Sequence, residues 1–70
     1  MKKYSIHFNT NVKIIIYDIN GNEVEELVNN NHTVGNYELS WDATNYPSGL
    51  YFVQSGTHTF TQTQKLMLVK

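Results

Sequence analysis

Residues 12–24 read Val12-Lys13-Ile14-Ile15-Ile16-Tyr17-Asp18-Ile19-Asn20-Gly21-Asn22-Glu23-Val24, and this stretch decides the fold class. In an extended chain Val12, Ile14 and Ile16 share one face while Ile15 and Tyr17 take the other, because successive strand side chains alternate. Apolar character on both faces marks Val12 to Asp18 as a central strand or a strand with a contact face. Asn20-Gly21 then supplies the strongest short hairpin signal, since a type I′ turn needs positive φ at both central positions.

The pattern extends in both directions. Tyr4, Ile6 and Phe8 alternate with Lys3, Ser5 and His7, which predicts a first strand with one buried face. Downstream, Val24, Leu27 and Val28 fit one helical turn, but six residues between Gly21-Asn22 and Asn29-Asn30-Asn31 are too few for a stable helix. Glu23 to Val28 therefore reads as a strand with a bulge, and Asn29 to Thr33 as a polar turn. Tyr37, Leu39 and Trp41 alternate with Glu38 and Ser40 in a strand ending at Asp42. Tyr46-Pro47-Ser48-Gly49 reads as a turn, Leu50 to Gln54 as a strand and Ser55-Gly56-Thr57 as another turn. The last strand runs from about Thr59 to Val69.

Composition agrees with this reading. Val, Ile and Thr supply 18 of 70 residues and aromatics nine more, against one alanine; these suit pleated, half-buried surfaces rather than helices. Nine asparagines fall between the apolar runs, where Asx-turns favour chain reversal. Six or seven short strands spaced by turn signals predict an all-β, small antiparallel sandwich, with residues 1–70 forming a single domain. A chain this short buries only about 60% of its unfolded surface. Without cysteine it has no disulfide staple or thiolate zinc site, and such domains lean on a regular core or a neighbour.

Charge and hydropathy exclude several functions. Five lysines, no arginine and six acids give a net charge of −1. Lys2, Lys3, Lys13, Lys65 and Lys70 form no stripe able to displace counterions from phosphates, so nucleic acid is not an expected partner. No apolar run reaches the roughly 18 to 20 residues of a spanning helix. Met1 to Phe8 carries two lysines with no signal-peptide apolar stretch behind them. The chain either acts where it is made or is a piece of a larger exported protein with Met1 at the boundary.

Motifs for chemistry are sparse, and no catalytic, cofactor-binding or metal-ligating residues emerge. His7 falls on a solvent face, and His32 and His58 lie in or beside turns; without ligand spacing all three read as ordinary surface histidines. Asp18-Ile19-Asn20-Gly21-Asn22 begins like a calcium loop, but its sixth and twelfth positions are Glu23 and Asn29 where Gly and an acid are needed. It reads instead as a hairpin turn with Asp18 capping the strand. Ser5, Ser40, Ser48 and Ser55 lack a nucleophile elbow. Glu23, Glu25, Glu26 and Glu38 suit solubility on a fold with little room for a cleft, so an enzyme is not expected. Asn31-His32-Thr33 matches the N-glycosylation triplet, a short pattern that arises often by chance. Tyr17 and Tyr46 are the aromatics best placed for exposure. A carbohydrate-binding module would need such rings coplanar and solvent-facing.

The ordered series VKIIIYDINGNEV, GNYELSWDA, YPSGLYF and TQTQKLMLVK resembles the type A C-terminal sorting domain of the type IX (Por) secretion system. That class is found at the ends of exported proteins of the Bacteroidetes and related bacteria. The resemblance runs from about Tyr4 to Lys70. A bacterial immunoglobulin-like domain of the flagellar hook-capping scaffold resembles the middle motifs too, but it usually carries a Gly-containing insertion where Trp41 to Tyr51 is short. Two departures from the sorting-domain pattern stand out. The Asn-Pro-rich lead-in before the first strand is absent, and Val53 to Phe60 is a residue or two tighter than usual.

The resemblance implies a non-catalytic signal domain with an immunoglobulin-like β-sandwich fold and without cofactors. It would be recognised in the periplasm by the outer-membrane secretion machinery and carry an N-terminal cargo to the cell surface or beyond. A sortase-like peptidase often removes such domains. It also favours the larger-exported-protein reading of Met1. In this family the signal concentrates in the final strands, here Gly49-Leu50-Tyr51 and Lys65, Leu66, Met67, Leu68, Val69 and Lys70. A terminal apolar strand flanked by lysines can be read by strand addition; Leu66, Met67 and Leu68 can equally be core. The competing function is a structural immunoglobulin-like module for cell-surface adhesion or assembly. Open sheet edges and few charges on Leu66 to Val69 further predict self-association through an edge or the Ile15/Tyr17 face.

Overall fold

The computed structural model describes residues 2–57 and 59–69, so Met1, His58 and Lys70 lie outside the described residues. Six strands follow in order: β1 (Lys2–Ile6), β2 (Thr10–Tyr17), β3 (Glu23–His32), β4 (Gly35–Leu39), β5 (Gly49–Gly56) and β6 (Thr61–Leu68). They form an antiparallel four-stranded sheet ordered β3-β2-β5-β6 and an antiparallel two-stranded sheet of β1 and β4. This is the all-β sandwich architecture expected from the sequence.

β2 is central, as its two-faced apolar pattern required. Val12, Ile14 and Ile16 are buried on the inner face towards the two-stranded sheet, and Tyr4, Ile6 and Leu39 line a shared cavity with Val12, Ile14 and Val53. Ile15 points to the outer face yet is only 3% exposed, walled in by Lys13, Tyr17 and Gln54. The two-stranded sheet is a partial cover for four strands. The accessible surface, 5027 Å², exceeds the about 4,500 Å² expected for this mass.

The predicted bulge in the third strand exists and has a companion. β3 slips register between Ile14 and Ile15 and again between Ile16 and Tyr17, leaving Leu27 and Val24 as the extra residues. The slip turns Leu27 inward beside Ile16, which explains why Val24, Leu27 and Val28 mimic helical spacing.

Several expectations are corrected. Asn29 to Thr33 is not a turn, because β3 continues to His32 opposite Thr10. The first strand ends at Ile6, and Phe8 is 63% exposed rather than buried. The fourth strand stops at Leu39, so Trp41 packs inward from irregular chain. Nor is the Asn20-Gly21 turn type I′. Gly21 has φ of 84° and no other residue type has positive φ among the described residues. Gly21 N–H donates to Asp18 O at 3.0 Å and Asp18 N–H donates to Asn22 O at 3.0 Å. This is the three-residue hairpin, a turn followed by a left-handed glycine. The Asp18 carboxylate selects it by accepting from Asn20 N–H at 2.9 Å and Asn22 N–H at 3.0 Å, the capping role foreseen for it.

Candidate functional site

Register brings the sequence-nominated residues together. Gly49 lies opposite Leu68, Leu50 opposite Met67, Tyr51 opposite Leu66 and Phe52 opposite Lys65. The two segments that the resemblance singled out are thus one hairpin, with β6 at an outer edge of the four-stranded sheet and paired only to β5 among the described residues.

Alternation then divides the hairpin. Tyr51, Leu66 and Leu68 point inward. Tyr51 is buried and its hydroxyl donates to Pro47 O at 2.7 Å, a bond that ties the entering loop to the strand. Leu66 is half-buried beside Ile16, Leu27, Leu39, Trp41 and Val53, and Lys65 also borders that cleft. Leu50, Met67 and Lys65 belong to the outer face; Met67 is 64% exposed and Lys65 is exposed. Val69 lies beyond the strand and is 80% exposed. Gly49 has φ of 156° with open space where a Cβ would stand, so backbone conformation rather than crowding favours glycine there.

Behind the hairpin sits an aromatic cluster. Trp41 lies 5.4 Å from the Tyr51 ring at 71° and 5.4 Å from the Tyr46 ring at 35°. Tyr46 turns inward, donating its hydroxyl to the Glu25 carboxylate at 3.1 Å. Burial first and then this carboxylate hold the Tyr46 phenol above its ordinary pKa. The buried Trp41 Nε1 has no hydrogen-bond partner among the described residues, a feature that periodicity gave no means of finding. Tyr46 therefore does not pair with Tyr17 as a solvent-facing sugar platform.

A second cluster fixes the two-stranded sheet. His32, read from sequence as a surface residue, is buried at the end of β3. Tyr4 Oη is 2.7 Å from its Nε2, and the Tyr4 and Tyr37 rings stack 5.5 Å apart. Burial, then Tyr37, raises the Tyr4 pKa. Because His32 lies inside, the glycosylation-like triplet presents only Asn31 and Thr33 to solvent. Among the described residues no three His, Asp or Glu side chains converge to hold a metal ion, and no helix is long and apolar enough to cross a membrane.

No curated protein and no solved structure matches the chain. A family model described as "Secretion system C-terminal sorting domain" matches residues 2–70, covering all six strands and both halves of the β5–β6 hairpin. The chain therefore belongs to the family of secretion-system C-terminal sorting domains, the type IX signals of exported proteins that pass to the cell surface or extracellular space.

Proposed function

We propose that residues 1–70 act as one non-catalytic sorting domain that carries an N-terminal cargo across the outer membrane, with β6 as the element its receptor reads. The observation that carries this reading is the position of β6 as an edge strand, paired on one side only among the described residues. Its inward residues Leu66 and Leu68 are occupied with Tyr51 and Gly49, while Lys65 and Met67 stay available. An edge strand offers a row of unpaired backbone N–H and C=O groups, and a partner strand laid along it gains main-chain hydrogen bonds. Alternate side chains then supply specificity. The exposed Val69 extends the same surface past the strand, and Lys70, part of the proposed signal, lies outside the described residues. A sortase-like peptidase is the expected second partner, acting after transfer.

The test fuses residues 1–70 to the C-terminus of a periplasmic reporter in a bacterium with a type IX system, beside a version lacking Lys65 to Lys70. Surface delivery that disappears with the deletion supports the reading. If both fusions fold and stay in the periplasm, the adhesion-module reading replaces it.

A further inference from the structure

Among the described residues no layer covers the outer face of the four-stranded sheet, and its side chains form ordered rows. Strand register sets Glu23, Tyr17, Phe52 and Lys65 side by side across β3, β2, β5 and β6. The next row is Glu26, Ile15, Gln54 and Thr63, and the one after is Asn29, Lys13, Gly56 and Thr61. The first row thus runs acid, aromatic, aromatic, base. Leu50 and Met67 extend its apolar centre on the β5–β6 side, and Ile19, 68% exposed, stands beside Tyr17 and Phe52 at the hairpin end.

We infer that this face pairs with the same face of a second copy, about a two-fold axis parallel to the strands. Such an axis reverses the order across the strands and keeps each row at its own height. Glu23 then meets the second copy's Lys65, and Tyr17 meets its Phe52, each twice by symmetry. Glu26 falls on Thr63 and Lys13 on Gly56, so no like charges oppose one another. The other in-plane axis, perpendicular to the strands and centred on the Ile15 row, stacks Glu26 on Glu26 and pairs no opposite charges. Charge complementarity therefore selects the first arrangement, and aligned packing of two sheets tolerates it.

The area sets the strength. Four strands about 4.8 Å apart and about six residues long make a face of roughly 400 Å² per copy. The total falls below the about 1,200 Å² of stable complexes, so the dimer is weak and forms at high local concentration. Both edges of the sheet stay open in this arrangement. It leaves the backbone edge of β6 free but covers Lys65 and Met67, so the dimer and a receptor that reads those side chains exclude one another, and the pairing goes beyond the sorting reading.

Charge reversal tests the pairing. Glu23 and Lys65 are both exposed, so changing them leaves the core alone, which circular dichroism confirms. Within one chain they stand three strand spacings apart, about 14 Å, beyond the about 8 Å screening length at physiological salt. Sedimentation equilibrium into the millimolar range, with amide shifts followed over the same series, should give a dimer whose shifts centre on Tyr17, Phe52 and Gln54. Glu23→Lys and Lys65→Glu should each weaken it about tenfold or more, and the double variant should return to within about threefold of the parent. A monomer at every concentration overturns the inference. So do single reversals without effect, a double variant no better than either single, or shifts confined to β6 as an edge-to-edge dimer would give.

Discussion

Leu66→Ala and Met67→Ser separate folding from recognition in adjacent residues of β6. Leu66 points inward against Tyr51 and borders the cleft with Ile16, Leu27 and Trp41. Truncating a fully buried leucine costs about 2–5 kcal/mol, and half-buried Leu66 should lose about half of that, roughly 1–2.5 kcal/mol. Met67 is 64% exposed, and Met67→Ser should stay within about 0.5 kcal/mol. A 70-residue domain holds about 4–10 kcal/mol in total, so both variants remain over about nine-tenths folded. Urea denaturation reads the first quantity, and surface delivery of a reporter fusion reads the second. A folded edge read from outside predicts that Leu66→Ala lowers the urea midpoint with delivery nearly intact. Met67→Ser should keep the midpoint and reduce delivery. The opposite pattern, delivery abolished by Leu66→Ala and untouched by Met67→Ser while both proteins are folded, would refute the reasoning. The receptor would then be reading the inward face of a strand peeled from the sheet.

Three further outcomes follow from the geometry. Gly21→Ala should cost about 1–2 kcal/mol, because φ of 84° is forbidding to a Cβ that otherwise meets nothing within 4 Å; Gly21→Asn should cost less in the same urea titration, since asparagine tolerates that backbone. The Tyr4 and Tyr46 phenols both sit above the ordinary value of 10.0, so the unfolded chain releases those protons first and stability falls as pH climbs past about 10. Urea midpoints should be level from pH 8 to about 9 and then decline, and a midpoint rising through pH 11 would contradict this. Trp41→Phe removes the buried Nε1 that has no partner among the described residues, offsetting lost ring area with a relieved desolvation cost of about 1–3 kcal/mol. Its measured destabilisation should stay near 1 kcal/mol, far from the about 3–5 kcal/mol of a Trp41→Ala truncation.

How much of this was legible in the sequence differs residue by residue. β2 announced itself because a strand with neighbours on both sides and a packed inner face carries apolar residues in both phases. β3 was legible only as an ambiguity: two bulges rotate Val24 and Leu27 out of a period of two, and a pattern method reads the result as a turn of helix. The asparagines at positions 29 to 31 misled because turn propensity is local, whereas pairing with Lys13, Val12 and Asn11 is imposed by the partner strand. His32 looked like a surface histidine because its partners, Tyr4 and Tyr37, come from a sheet whose docking no local signal encodes. The candidate recognition hairpin was nominated by the family resemblance, not by periodicity. Its meeting of Gly49–Tyr51 with Leu66–Leu68 depends on the register of one hairpin, in which Thr57 N–H donates to Phe60 O at 2.7 Å.

The same alternation that builds the sandwich explains how so small a domain can hold a fold and display a signal. A strand with a partner on one side only has three separable surfaces. In β6 the inner side chains Leu66 and Leu68 answer to the core and the outer side chains Lys65 and Met67 to the sheet face, while the free backbone edge answers to neither. The two-stranded sheet covers part of the inner face, so β6 is held mainly by its ladder to β5 and by those two half-buried leucines. Its opening free energy should therefore lie below that of central β2, whose Val12, Ile14, Ile15 and Ile16 are all buried. Amide exchange can rank the two strands directly: β6 amides should exchange faster than those of Ile14 to Ile16. Equal protection across both strands would mean that the hairpin is locked as firmly as the core, leaving only the exposed edge and its outward side chains for a partner to use.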